Sequence, residues 1–325
     1  MRKWIPFLTL LCAALAMLPS VVALAAPGQT GLAASPMQPA HAVLWQRMTA
    51  TIEARAARSD SLIAATVVDL GTGMRYSLRG DLVFAVASTI KLTLLAELLR
   101  QSEAGTLRLS DPLTLQPRDV IPGSPILSAL TGPHDAPTSL RPYSLRELAT
   151  FMITTSDNTA TNALIDHLGM PAVNALCSRL GLAQTRLRRR MLDGEAVRAG
   201  NENTSTTHEL ATLLATLYGP QLLSEGTRRD LLHILAQPKD SYFARGLPDE
   251  QPLASKPGSV DGLRAEAGIV LLPGRPFVVS AIAAYVKDGP AAEQALADIA
   301  AAAFAYFSAT ADHTVFGRRR PAAQP

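Results

Sequence analysis

Lysine is scarce in this chain. Of 30 basic residues only five are lysine, at positions 3, 91, 239, 256 and 287, and the rest are arginine. A chain that uses arginine for general surface charge keeps lysine where a deprotonatable amine is useful, so the setting of each lysine carries information. Cysteine is rarer still, with only Cys12 and Cys177. Cys12 lies in the apolar N-terminal run, and Cys177 alone cannot form an internal disulfide. Cys177 sits in a helical pattern with an apolar face, which predicts a buried, inert thiol. An excess of one charge is also missing, since 30 basic residues face 27 acidic ones. That balance gives no argument for nucleic acid as a partner. Six histidines show no clustering, and His208-Glu209 has no second histidine at metalloprotease spacing, so no metal or other cofactor is expected. The sequence also lacks a G-x-S-x-G elbow, a phosphate-binding glycine loop and an internal repeat.

Hydrophobic residues make up 48% of the 325 and charged residues 18%, a balance that excludes a disordered chain and suffices for a sizeable core. The first 25 residues read as a secretory signal. Arg2 and Lys3 precede an apolar stretch over 5–24, and Ala23-Leu24-Ala25 offers a cleavage site that leaves Ala26 first. The expectation is an exported protein, periplasmic or secreted, with no stable membrane association once the signal is removed. An uncleaved anchor is the competing reading of the same run. Residues 26–37 read as a linker, and a monomer is the default expectation.

Apolar periodicity then predicts a helix over 40–58, a strand over 62–70, the turn Gly71-Thr72-Gly73 and a strand over 74–78. Helical spacing dominates the middle of the chain, at 92–101, 144–155, 159–168 and 207–217. Strand patterns resume at 263–272 and 276–286 around Pro273-Gly274-Arg275, and a helix follows over 291–307. The simplest packing is α/β and two-lobed. An antiparallel sheet flanked by the terminal helices comes from about 38–87 and 240–310, and an all-helical lobe from about 88–239. One catalytic domain over 38–312 and a disordered tail over 313–325 complete the organisation.

Three short motifs carry chemistry. In Ser88-Thr89-Ile90-Lys91 the serine and lysine share a helix face in an apolar setting. Desolvation lowers a lysine pKa, and a neutral amine can take the proton a serine must lose before it attacks a carbonyl. Ser156-Asp157-Asn158 sets a hydroxyl and an amide side by side on a loop, although plain helix capping explains it as well. Lys256-Pro257-Gly258-Ser259 precedes a strand, where a lysine suits a substrate carboxylate and the glycine admits close approach to the backbone; an ordinary turn is the bland alternative.

In this order the motifs resemble the S-x-x-K, S-D-N and K-T-G signature of class A β-lactamases and penicillin-binding proteins. Tyr143-Ser144-Leu145-Arg146-Glu147-Leu148, Thr159-Ala160-Thr161-Asn162, Leu168-Gly169, Gly71-Thr72-Gly73 and Thr204 to Thr207 are similar to that family too, so the resemblance spans about residues 40–308. It implies the family's two-lobed β-lactamase-like fold and a serine hydrolase. Ser88 would be the nucleophile, Lys91 its base or proton carrier, and Ser156 the relay to the leaving nitrogen. Asn158 would hold the substrate's amide and Lys256 its carboxylate. The backbone N–H groups of Ser88 and Ser259 would form an oxyanion hole, with Gly258 beside them. The implied activity is β-lactam hydrolysis through an acyl-serine. The alternative is a D-alanyl peptidase of the penicillin-binding-protein kind, or a slow acyl-serine hydrolase with impaired deacylation. A non-catalytic binding module on the same fold is a third reading, against which the intact Ser88, Lys91, Ser156 and Asn158 argue.

Two departures stand out. Class A enzymes carry a glutamate on the omega loop that activates the deacylating water. The matching stretch over 185–195 has arginines where it is expected, with Asp193 and Glu195 as candidate carboxylates. Pro257 replaces a threonine or serine and removes both a hydroxyl and a backbone N–H. Arg264 on the next strand is the candidate substitute for that lost contact.

Overall fold

Two apolar runs with almost no polar interruption, Leu62–Asp69 (β1) and Phe277–Ala284 (β9), become the central strands of one sheet. The computed structural model describes residues 39–116, 119–121, 124–127, 141–314 and 316–320. The predicted signal and linker lie outside the described residues. Among those described, no helix is long and apolar enough to cross a membrane.

The sheet is antiparallel throughout, in the order β2-β1-β9-β8-β7, with β2 at Arg75–Leu78, β7 at Leu253–Val260 and β8 at Leu263–Val270. Chain ends thus meet in one layer, and β1 pairs along its whole length with β9, from Leu62 opposite Ala284 to Asp69 opposite Phe277. The side-chain period of two divides each strand between two cores. Ile63, Ala65 and Val67 of β1, with Val279, Ala281 and Ala283 of β9, pack on Met48 and Ile52 of helix α1 (Pro39–Ala57) and on Leu296, Ile299 and Phe307 of the C-terminal helix (Gly289–Ala311). Ala64, Val68, Val278 and Ile282 face the other way, into a core shared with the helical half. Burial on both faces explains why these strands read as unbroken apolar runs, and a one-residue slip would exchange the two cores.

The helical half packs α2 (Lys91–Glu103) against α3 (Leu145–Thr154), α4 (Asn158–Leu168) and α5 (Met170–Arg179), while α7 (Thr207–Tyr218) lies on β1, β8 and β9 of the sheet. A short helix α6, Gly194–Arg198, lies on the loop between α5 and α7, and α8 follows at Glu225–Leu235. Start signals are local: Ser144 and Glu147 form a reciprocal capping box at α3, and the Asp157 carboxylate accepts from Ala160 N at α4. Cys177 is buried in α5, and its thiol pKa is pushed up to about 11 by burial, which makes it inert.

Two expectations are corrected. Lys256-Pro257-Gly258-Ser259 is no turn before a strand but the body of β7. Proline is admissible there because β7 is an edge strand, with β8 as its one ladder partner. The tail expected to be disordered from residue 313 is hydrogen-bonded where it is described: Thr314 N donates to Arg318 O and Arg320 N to Asp312 O, while 315 and 321–325 lie outside the described residues. Gly317, at φ +79°, supplies the left-handed turn between them.

Candidate active site

Ser88 stands in a 3₁₀ turn, Ala87–Ile90, that runs directly into α2. In such a turn residues i and i+3 eclipse one another, so Lys91 lies on Ser88's side of the chain. Ala87 before it is held at φ 43°, in the left-handed region, and conformations of this kind cost ~1–3 kcal/mol and gather at functional sites. The segment is tied from outside as well, by Val86 N donating to Asn203 O and by strand β3 (Phe84–Ala85) pairing with β6 (Thr204–Ser205).

Lys91 is fully buried, at 0% exposure. Its Nζ donates to Ser156 O at 2.7 Å, to Ser156 Oγ at 3.0 Å and to Asn158 Oδ1 at 2.9 Å. The expected contact with Ser88 Oγ is not among them, because three acceptors saturate the three N–H bonds of an ammonium. Burial holds its pKa well below that of an ordinary lysine, the Lys256 charge adds to this, and Asp157 opposes both. A neutral amine has only two N–H bonds and a lone pair, so losing one proton forces a contact to reverse. Ser156 Oγ is the one partner of the three that can donate.

The acceptors are placed by backbone and by a buried carboxylate. Ser156 sits at φ 56° between α3 and α4. Asp157 is fully buried, and its Oδ2 accepts from Ile126 N at 3.1 Å and Leu127 N at 3.0 Å while Oδ1 caps α4. It orders the turn, and its neighbours Ser156 and Asn158 carry the reactive side chains.

Across the cleft, β7 packs against the Ser88 turn. A Cβ on Gly258 would fall 2.8 Å from Ser88 N and 3.0 Å from Thr89 N. Glycine alone lets the strand backbone lie this close to the nucleophile's own N–H. Lys256 is 1% exposed, and its Nζ donates to Pro257 O at 2.7 Å. Burial brings its pKa down to about 7, against the opposing charge of Glu266 and with a smaller push from Lys239. Ser259 is exposed at the end of the strand and lines the cleft. Arg264 does not join this group. Its Nε donates to Glu293 Oε1 at 2.9 Å, and its NH1 to Val260 O and Leu263 O. The expectation that it replaces the hydroxyl lost at Pro257 is corrected, because the C-terminal helix already holds its guanidinium.

A cavity of about 560 Å³ opens from Ser88, Asn158 and Ser259 towards the loop that carries α6. Three asparagines clamp that loop by its backbone, the first being Asn174, which accepts from Leu187 N and donates to Leu187 O. Asn203 Oδ1 accepts from Arg188 N and Arg189 N, and Asn162 Oδ1 accepts from Met191 N at 2.7 Å while its amide donates to Met191 O at 3.3 Å. Met191 is thereby buried in the cavity wall. The arginines of this stretch are engaged elsewhere: Arg189 pairs with Glu202 at 2.9 Å and Arg190 with Asp166 at 3.0 Å. Of the two candidate carboxylates, Asp193 lines the cavity, with its Oδ1 accepting from Ala196 N as the cap of α6. Glu195 is exposed and outside the lining. Glu202, Asn203 and the lip residues Val197 and Val260 were not legible in the sequence, since nothing local in it announces that a chain segment this far from Ser88 returns to its cleft.

The model of the Beta-lactamase enzyme family matches residues 46–307. The β-lactamase of Streptomyces fradiae is 30% identical over 252 residues, 75% of this chain and 81% of the relative. An ancestral class A β-lactamase superposes with a TM-score of 0.72 at 28% identity, covering 80% of this chain and 100% of that one. A mutant of PBP-A, captured as its acyl-enzyme complex with penicillin G, superposes with a TM-score of 0.72 at 26% identity, covering 82% and 97%. With most of its length matched and its serine, lysines and asparagine gathered at one cleft, the chain belongs to the beta-lactamase enzyme family.

Proposed function

We propose that this protein is a class A-type serine β-lactamase that opens the β-lactam amide through an acyl-serine. The observation that carries the reading is the buried Lys91, bonded to Ser156 and Asn158 and three residues from the cleft-lining Ser88. Neutral Lys91 takes the Ser88 proton, directly or through Ser156, as Ser88 Oγ attacks the carbonyl carbon. The N–H groups of Ser88 and Ser259 receive the developing oxyanion. Ser156 passes the proton to the leaving nitrogen, Asn158 holds the amide beside the scissile bond, and Lys256 meets the substrate's carboxylate. Water then cleaves the ester.

Met191 favours a second reading. The loop residue clamped into the cavity wall carries a thioether, which abstracts no proton from water, and Asp193 is occupied as a cap. A slow acyl-serine hydrolase, or a D-alanyl peptidase of the penicillin-binding-protein kind, shares every step up to the ester. Export belongs to the proposal on the strength of Arg2, Lys3 and the apolar run that follows, and an intact mass beginning at Ala26 after secretion checks it.

The test follows product and intact mass together with a chromogenic cephalosporin and a penicillin, using Ser88→Ala as control. Steady turnover that vanishes in Ser88→Ala supports the β-lactamase. One burst with one retained drug mass supports the slow hydrolase. Neither product nor adduct sinks both β-lactam readings.

A further inference from the structure

Phe316 is 81% exposed, the most exposed large apolar side chain among the described residues. Arg318, Arg319 and Arg320 follow it and are exposed as well. Arginines elsewhere are matched with acids: Arg189, Arg190, Arg245, Arg264 and Arg275 each meet a carboxylate at 3.0 Å or less. Among the described residues the three tail guanidinium groups join no such pair, and Asp312 is the nearest acid in sequence. The tail is nonetheless held in place. His313 and Arg319 form an antiparallel bridge, Gly317 N donates to Thr314 O, and Arg318 N donates to Thr314 Oγ1. The imidazole of His41, buried in the first turn of α1, is hydrogen-bonded to the Thr314 backbone. One exposed apolar residue is ordinary. One set just before three unpaired arginines, on a fixed segment, makes an amphiphilic surface.

Its position in the fold is specific. Arg275, in the turn between β8 and β9, bonds both Asp69 at the end of β1 and Thr310 at the end of the C-terminal helix. The tail therefore lies at the end of the sheet where Asp69 meets Phe277. The cleft opens at the other end, beside Ser259, Val260 and Asp261, and strands of this length separate the two ends by about 25 Å. α1 begins on the tail's side, with no acidic residue in its first turn, so the apolar run over 5–24 joins the domain there through 26–38. Chemistry narrows the partner. A polyanion in water satisfies guanidinium groups but gains nothing from a phenyl ring. A bilayer of anionic phospholipid uses both, the phosphates for arginine and the headgroup boundary for the ring.

We propose that Phe316, Arg318, Arg319 and Arg320 dock this protein reversibly on an anionic phospholipid bilayer, with the cleft turned towards solution. Three charges and one ring fall short of stable anchoring, and the contact holds whatever substrate Ser88 takes. The experiment is co-sedimentation of the protein beginning at Ala26, the form proposed to follow export, with vesicles of phosphatidylcholine alone or mixed with phosphatidylglycerol. Binding is expected to be about a hundredfold stronger to the mixed vesicles and to weaken with added salt. Arg319→Ser should cost about fivefold, and the triple variant Arg318→Ser, Arg319→Ser, Arg320→Ser should abolish the preference. Phe316→Ser should weaken vesicle binding about tenfold and leave binding to dextran sulfate unchanged. All four side chains are exposed, and a melting curve checks that each variant folds as the parent does. Equal binding to the two kinds of vesicle, binding to neither, or a preference that survives the triple variant overturns the proposal. Vesicle binding indifferent to Phe316→Ser reduces the contact to one with any polyanion and overturns it too.

Discussion

The two walls of the cleft are built differently. On one side Ser88, Lys91, Ser156 and Asn158 stand on a helix and a capped turn, with the amine buried and its hydrogen bonds saturated. On the other a loop is clamped along its backbone by Asn162, Asn174 and Asn203, tied down by the Arg189–Glu202 and Arg190–Asp166 pairs, and presents a thioether, an exposed leucine and a capping aspartate. An acyl-serine reaction has two steps, and each wall corresponds to one of them. In the proposed reaction the first wall serves the making of the ester. The second keeps its backbone clamp while the residue it turns into the cavity, Met191, carries no proton-accepting group.

The largest effect is expected from breaking the first wall. Lys91→Met leaves Ser88 in place but removes its proton acceptor, and the rate of Ser88 labelling should fall about a thousandfold. Rapid-quench mass spectrometry measures it, and a fall of less than about tenfold would move the base elsewhere. Next comes converting the second wall into the first kind. Met191→Glu sets a carboxylate at the position Asn162 clamps and should shorten the lifetime of the acyl-enzyme about a hundredfold. An unchanged lifetime would mean that the wall is not where the water sits.

A smaller effect tests Lys256. Its pKa of about 7 leaves the amine neutral above that pH, so a carboxylate ligand must bring a proton with it. Affinity is therefore full below pH 7 and falls about tenfold per pH unit above it. Titration of a carboxylate-bearing β-lactam into Ser88→Ala reads this directly, free of the chemistry at Lys91. A flat affinity from pH 7 to 9 would contradict the assignment. The smallest effect separates cap from catalyst on the loop. Asparagine caps as well as aspartate does, so Asp193→Asn should change neither melting temperature nor acyl-enzyme lifetime by more than about twofold in the underlying constant. An adduct that lives much longer in that variant than in the parent protein would make Asp193 the base after all.

The legible parts of this molecule are those whose signal is periodic or short in range. β1 and β9 announce themselves because burial on both faces leaves no polar position to blur the run. Ser88 and Lys91 are readable because three residues fix their shared face. β7 was hidden, since Lys-Pro-Gly-Ser has a turn's composition, and only its edge position in a sheet closed by distant partners makes it a strand. Arg264 was misjudged for a related reason: the strand fixes where its side chain starts, but Glu293, 29 residues further on, decides where it ends. Met191 was invisible because the clamp that turns it inward comes from Asn162, on helix α4 and 29 residues earlier in the chain.

The burial of Lys91 and Lys256 has a practical consequence for handling the protein. Four lysines fall among the described residues; two of them are buried in the site, and Lys239 spends its ammonium on the carbonyls of Leu235 and Gln237. Lys287 is exposed one residue before Asp288, the N-cap of the C-terminal helix. Among the described residues an amine-reactive dye or a coupling resin would therefore take hold chiefly at Lys287, which lines a different cavity from Ser88. Coupling there would leave the amines of Lys91 and Lys256 untouched.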